Sequence, residues 1–121
     1  MSSKRTLVIG ASENPTRYSN LAIQTLIKHQ HEVVALSKRN GSVSGVNFQT
    51  EFPVKEKIHT VTLYIGPKHQ QEYYQLLIDL KPERVIFNPE TENYELESLL
   101  EKNGIETIQA CTLIMLNTGQ Y

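Results

Sequence analysis

Short runs of apolar residues recur along the chain, and stretches with helical periodicity lie between most of them. Five runs have the length and the Val, Ile and Leu content of strands, at residues 6–9, 32–36, 60–65, 84–88 and 106–110. The first runs are apolar throughout, which is typical of a parallel sheet that is covered on both faces. The pattern therefore predicts an α/β protein with five main strands.

Three amphipathic segments separate these runs. The first predicted helix begins near Ser19, and the second places its apolar residues at i, i+3, i+4 and i+7 over residues 73–80. The third covers residues 96–100 and is followed by Gly104, a residue that commonly ends helices. The segment 37–59 has few helix signals, so we predict a long and mostly irregular crossover there.

Alternating strands and helices predict right-handed crossovers and a three-layer, doubly wound parallel sheet with strand order 3-2-1-4-5. Ligands of such sheets bind at the carboxyl ends of the strands, and we expect a crevice at the switch between strands 1 and 4. The chain has 121 residues, which predicts a single domain over residues 1–121.

Composition narrows the function classes. The net charge of −1 does not favour nucleic acid as a partner, and no apolar run has membrane-spanning length. The N-terminal segment 1–5 lacks the apolar stretch of a secretory signal, and the single cysteine, Cys111, excludes an internal disulfide. We therefore expect a cytoplasmic protein. A homodimer is a further hypothesis, because a domain this small buries little core.

The loop after the first run is the strongest candidate for a binding site. A strand that feeds a small-residue turn and then a helix creates an anion site, because free backbone amides and the positive helix end point at one spot. Only Gly10 remains of the G-x-G-x-x-G fingerprint. We interpret Gly10 as allowing a ligand to approach the backbone, and a tight turn without a ligand is the alternative. On the first interpretation, Gly10→Val abolishes binding and leaves the fold largely intact.

Polar side chains follow that glycine. The hydroxyls of Ser12 and Ser19 are candidate donors to a phosphate, and helix capping is the alternative role for both. Arg17 is a candidate phosphate partner, or else a solvated loop arginine.

The exit of the second run carries Ser37, Lys38 and Arg39. A site for NAD usually has an acidic residue there to hold the ribose hydroxyls. The basic pair instead favours a ligand with an extra phosphate on its adenosine ribose, namely coenzyme A or NADP. The alternative is that Lys38 and Arg39 only solvate a loop.

Catalytic groups are scarce in this chain. None of the four histidines has metal-ligand spacing with a cysteine, and no motif pairs a nucleophile with a base. We therefore name no catalytic or metal-binding residue and leave enzymatic activity open.

The opening stretch of residues 7–12, followed by Asn14-Pro15 and residues 17–20, resembles the free-standing CoA-binding domain family. These proteins are compact relatives of the CoA-binding domain of succinyl-CoA synthetase α-subunits. The resemblance covers almost the whole chain and includes the loops after strands two, three and four and the cysteine after strand five. Two departures stand out: Leu36-Ser37-Lys38 replaces a common Val-Asn-Pro, and Asn88-Pro89-Glu90 replaces a common Gln-Pro-Gly.

The resemblance implies a Rossmann-like fold with a CoA-type ligand across the crevice. The implied ligand contacts are Gly10, Ala11 and Ser12 under the pyrophosphate, Arg17, Ser19 and Asn20 beside it, Ser37, Lys38 and Arg39 at the adenosine end, Ile65, Gly66 and Pro67 over the adenine or pantetheine, and Asn88 and Pro89 on the crevice wall. The expected function is that of a small CoA-binding protein, a binding or regulatory module without catalysis of its own. The alternatives are a component of an NADP-dependent enzyme and a degenerate Rossmann module for protein contact, which Glu90 favours.

Overall fold

Strands and helices alternate along residues 3–121, the part of the chain that the computed structural model describes. The strands are β1 (Thr6–Ile9), β2 (Val33–Leu36), β3 (Ser42–Val43), β4 (Val46–Gln49), β5 (Thr60–Leu63), β6 (Arg84–Phe87) and β7 (Glu106–Gln109). The α-helices are α1 (Tyr18–Lys28), α2 (Pro67–Gln70), α3 (Tyr74–Leu80), α4 (Tyr94–Lys102) and α5 (Thr112–Asn117), and a 3₁₀ turn (Gln71–Tyr73) joins α2 to α3. Met1 and Ser2 lie outside the described residues. They belong to the segment 1–5, from which we predicted that a secretory signal is absent.

The sheet has the order β3-β4-β2-β1-β5-β6-β7, and every neighbouring pair is parallel except β3 with β4. The predicted order 3-2-1-4-5 and the count of five strands are therefore wrong. The strand predicted at residues 60–65 is β5, and it pairs with β1 on the side away from β2. The place assigned to it beside β2 is taken by β4, which lies within the segment predicted to be irregular.

The missed strands have a weak sequence signal. β3 and β4 form a hairpin around Ser44 and Gly45, which have φ values of +51° and +82°. Only Phe48 of β4 is buried, so no apolar run marks the strand. The switch in strand order consequently lies between β1 and β5, and β6 is not a neighbour of β1.

Two apolar cores cover the sheet, one on each face. Successive residues of β1 point to opposite faces, so Leu7 and Ile9 lie in one core and Val8 lies in the other. The first core packs on α3 and α4, and the second packs on α1 and α5. The three-layer arrangement is thus confirmed. Among the described residues, the helices are all too short or too polar to span a membrane.

At the amino ends of the strands, the His31 ring accepts a hydrogen bond from the backbone. The amide of Lys4 donates to His31 Nδ1 at 3.0 Å, and the ring centroids of His31 and Tyr121 lie 5.0 Å apart. Burial lowers the pKa of His31 below its usual 6.5, and the charge of Lys4 lowers it further. A protonated Nδ1 cannot accept the Lys4 amide, so protonation breaks this contact.

We expect the protein to lose stability as the pH falls below about 6.5, because the unfolded chain binds a proton at His31 more readily than the folded chain. The contribution is complete above the unfolded pKa and is lost towards the lower folded pKa. It amounts to at most about 1 kcal/mol, since the ring is partly exposed. Urea denaturation at pH 7.5 and 5.5 measures it, with His31→Gln beside the exposed control His69→Gln. An unchanged pH dependence in His31→Gln contradicts this assignment.

Candidate functional site

A cleft of about 1090 Å³ opens at the carboxyl ends of β1, β2 and β5. The loop after β1, the start of α1, the exits of β2 and β5 and the loop after β6 contribute to its walls. The structure places most of the predicted contacts in the lining, namely Gly10, Ala11, Ser12, Arg17, Ser19, Ser37, Lys38, Arg39, Ile65, Gly66 and Pro89. The cleft thus brings together residues from loops that are far apart in the sequence.

Internal hydrogen bonds shape the loop after β1. The amides of Gly10 and Ala11 both donate to the carbonyl of Leu36 at 3.0 Å, which ties the loop to the end of β2. Further on, Asn14 Oδ1 accepts from the amide of Thr16 at 3.0 Å and from its hydroxyl at 2.8 Å. The loop therefore enters α1 in a defined conformation.

Gly10 is required by its immediate surroundings. Its φ is +98°, a value that L side chains rarely adopt. A Cβ at this position would lie 2.9 Å from the carbonyl oxygen of Tyr64 and 2.9 Å from Cγ2 of Ile65. The tight-turn interpretation therefore has a direct structural basis. The expectation that Gly10→Val leaves the fold intact is corrected, because the new side chain collides with the exit of β5.

The N-terminus of α1 opens towards the cleft without a side-chain cap. Arg17 occupies the N-cap position, so Ser19 does not cap the helix. The first turn contains no acidic residue, and among residues 3–121 no backbone carbonyl accepts from the amides of Tyr18 or Ser19. Free amides and the positive end of the helix dipole favour an anion at this position.

The two basic residues after β2 differ in their partners. Lys38 Nζ lies 2.6 Å from Glu72 Oε1, and this hydrogen bond raises the pKa of Lys38 and lowers the pKa of Glu72. Among the described residues, neither Arg17 nor Arg39 has an ion-pair partner. Two guanidinium groups therefore remain open to an anion in the cleft, whereas the ammonium group is already paired.

A carboxylate also enters the lining. Glu90 has a φ of +77°, and it occupies the place where the family resemblance leads one to expect glycine. A φ in this left-handed region favours glycine, so the Glu90 side chain stands on a strained backbone. Glu90 therefore adds a negative charge to the lining of the cleft.

Three predicted contacts lie outside the lining. Pro67 is the first residue of α2, and Asn20 donates from Nδ2 to the carbonyl of Ser12 at 2.9 Å. Asn88 is buried, and its Nδ2 donates to Thr62 Oγ1 and to the carbonyl of Leu63. The side chains of Asn20 and Asn88 are thus engaged in holding loops.

The comparison with known families agrees with this geometry. A family model described as "CoA binding domain" matches residues 4–117. The chain belongs to the CoA-binding domain family.

Solved structures of similar fold cover nearly all of this CoA-binding domain. An uncharacterised protein is 45% identical, with a TM-score of 0.96 over 100% of both chains. A hypothetical protein from Pyrococcus horikoshii OT3 is 24% identical, with a TM-score of 0.87 over 96% of this chain and 83% of the other. A Thermus thermophilus protein is 18% identical, with a TM-score of 0.86 over 98% and 91%. The last two show the fold alone. A search among curated proteins finds no significant match.

Some lining residues of this CoA-binding domain were missed from the sequence. Glu13 Oε2 accepts from the amide of Ser42 at 2.9 Å and so ties the loop after β1 to β3. Tyr64 lines the cleft while burial raises the pKa of its hydroxyl to about 12, which keeps the group neutral. Tyr73, interpreted above as part of a helix stripe, also faces the cleft. The position of Glu13 in the loop after β1 and that of Tyr64 at a strand exit could have indicated their place in the lining.

No metal site accompanies the cleft within residues 3–121, since no three His, Cys, Asp or Glu side chains come together there. Cys111 is half-buried at the N-cap of α5 and does not line the cleft.

Proposed function

We propose that this protein binds coenzyme A in the cleft at the carboxyl edge of the sheet and acts as a binding or regulatory module. One observation carries the proposal: in a chain of the CoA-binding domain family, an uncapped helix N-terminus and unpaired guanidinium groups line one cleft. A pyrophosphate is the kind of anion that such an arrangement binds.

The lining suggests an orientation for the ligand. The pyrophosphate lies over Gly10, Ala11 and Ser12 at the start of α1, with Arg17 beside it. The adenosine end extends towards the exit of β2, where Arg39 is available for the extra phosphate. The exit of β5, at Ile65 and Gly66, then covers the remaining face of the ligand.

Catalysis by this chain alone is not part of the proposal. Among the described lining residues, no histidine is hydrogen-bonded to a hydroxyl or thiol nucleophile. We propose instead that the bound ligand, or its acyl form, is what a partner recognises. A cytoplasmic location and a homodimer belong to the same proposal.

A component of an NADP-dependent enzyme is the second candidate. The unpaired Arg39 at the exit of β2 favours any adenosine ligand with an extra ribose phosphate, and NADP has one.

Thermal denaturation with coenzyme A, acetyl-CoA, dephospho-CoA, NAD and NADP tests the proposal. Ligand at 100-fold above Kd contributes about 2.7 kcal/mol, or roughly 8–15 °C in Tm for a chain of this size. We expect the largest shift from coenzyme A or acetyl-CoA. Arg17→Gln should reduce it, whereas the control Lys102→Gln, which removes the same charge on α4, should not.

The other outcomes have distinct meanings. A larger shift with NADP than with coenzyme A supports the second candidate. No shift with any of the five compounds contradicts both and favours the degenerate module for protein contact.

A further inference from the structure

An ion pair joins two walls of the cleft. Lys38 follows β2, and Glu72 lies in the 3₁₀ turn between α2 and α3, with 2.6 Å between Nζ and Oε1. Because β2 and β5 flank β1 on opposite sides, the pair bridges the connections that leave these two strands. We call it the Lys38–Glu72 bridge.

The bridge changes the charge that a ligand meets. The lining contains the basic residues Arg17, Lys38 and Arg39 and the acidic residues Glu13 and Glu90. When Glu72, which pairs with Lys38, is included, the acidic and basic side chains at the cleft are equal in number. A phosphate monoester carries about −1.5 to −2 charges at pH 7, so it needs cations that are not already neutralised. Among the described lining residues, the two arginines meet that condition.

We propose that Glu72 is a specificity-determining residue that competes with the ribose phosphate of the ligand for Lys38. This inference rests on the proposed function, because it concerns the same cleft. In the wild-type protein Arg39 then carries most of the preference for coenzyme A over dephospho-CoA, and Lys38 contributes little until Glu72 is neutralised.

Glu72 could either compete with the ligand for Lys38 or orient Lys38 towards the ligand, and the surroundings of Lys38 favour competition. The side chains of Lys38 and Glu72 are 74% and 52% exposed, and the Lys38 ammonium lies 5.8 Å from the centroid of the Tyr73 ring, in the same turn as Glu72. Lysine is a flexible point charge, which follows whichever anion is nearest. The turn that carries Glu72 is itself anchored, since Tyr73 stacks on Phe52 with a centroid distance of 5.9 Å. The Glu72 carboxylate is therefore better positioned to pair with Lys38 than the ribose phosphate of a ligand.

The test is a double-mutant cycle on selectivity. The Kd values of coenzyme A and dephospho-CoA are measured by calorimetry for the wild type, Glu72→Gln, Lys38→Ala and the double variant. We expect Glu72→Gln to raise the preference for coenzyme A about threefold, the size typical of an exposed charge pair. Lys38→Ala should change the preference less than twofold in the wild type and should cancel the gain in the Glu72→Gln background.

A matched control variant shows whether the change in preference is specific to Glu72. Glu106→Gln removes one carboxylate at the opposite edge of the sheet and should leave the preference unchanged. An unchanged or reduced preference in Glu72→Gln, with coenzyme A still bound, overturns the inference alone. Absence of binding to both ligands in all variants, despite cooperative unfolding, overturns the proposed function and the inference with it.

Discussion

Gly10→Ala should lower the free energy of unfolding by about 2–4 kcal/mol, and Gly10→Val by more. The left-handed backbone alone costs an L residue roughly 1–2 kcal/mol. The added Cβ also lies 2.9 Å from the carbonyl oxygen of Tyr64, a backbone atom that cannot rotate away. Because Gly10 joins β1 to the loop that feeds α1, relief of this contact moves the floor of the cleft. Urea denaturation measures the stability, and the Tm shift with coenzyme A measures the site.

Two other glycines separate the contributions. Gly104 has a φ of +78° and open space where a Cβ would be added, so Gly104→Ala reports the cost of the backbone conformation alone, about 1 kcal/mol. Gly66 has an ordinary φ of −70° and equally open space, so Gly66→Ala should change stability by less than about 0.5 kcal/mol. If Gly10→Ala lowers the free energy of unfolding no more than Gly104→Ala does, the contact with Tyr64 adds nothing to the cost of the backbone conformation.

The central strands were predictable because each is a short run rich in Val, Ile, Leu and Thr, residue types that favour strands. Every residue of β1, β5 and β6 is buried, and these strands were predicted within two residues of their observed ends. β4 lies near the edge of the sheet and buries Phe48 alone, so alternation over four residues could not distinguish it from a loop. Without it, β5 was assigned to the wrong side of β1. The six-residue helix α5 was missed because it is too short for a clear periodicity.

The predicted switch between strands 1 and 4 was wrong, but the carboxyl edge of the sheet was still the correct place for the cleft, for a physical reason. The carboxyl ends of all parallel strands lie at one edge of the sheet, whichever strands are neighbours. The loops after β1, β2 and β5 were thus expected together and are found together. What the sequence could not reveal is pairing between distant side chains. Glu72 is 34 residues from Lys38, and Glu13 is 29 residues from Ser42.

Asn88→Ala should destabilise the protein by about 2–4 kcal/mol, because it leaves several buried groups without their hydrogen-bond partner at once. Nδ2 donates to Thr62 Oγ1 at 2.7 Å and to the carbonyl of Leu63 at 2.8 Å, while Oδ1 accepts from the amide of Thr112 at 2.9 Å. Thr112 is the first residue of α5, and Cys111 at the N-cap supplies no side-chain bond. Asn88 therefore caps α5 from the neighbouring strand and joins β5 to β6.

The matched control is Asn103→Ala, which removes an Nδ2 bond of 2.8 Å to the carbonyl of Leu99 at an exposed helix end. We expect it to cost less than about 0.5 kcal/mol, because water replaces the lost bond. Calorimetry with coenzyme A, at a temperature where both variants are folded, then separates a structural role for Asn88 from direct contact. A Kd within about twofold of the wild type assigns Asn88 to support of the cleft. A tenfold loss in Asn88→Ala, with stability equal to that of Asn103→Ala, would instead return it to the ligand contacts implied by the family resemblance.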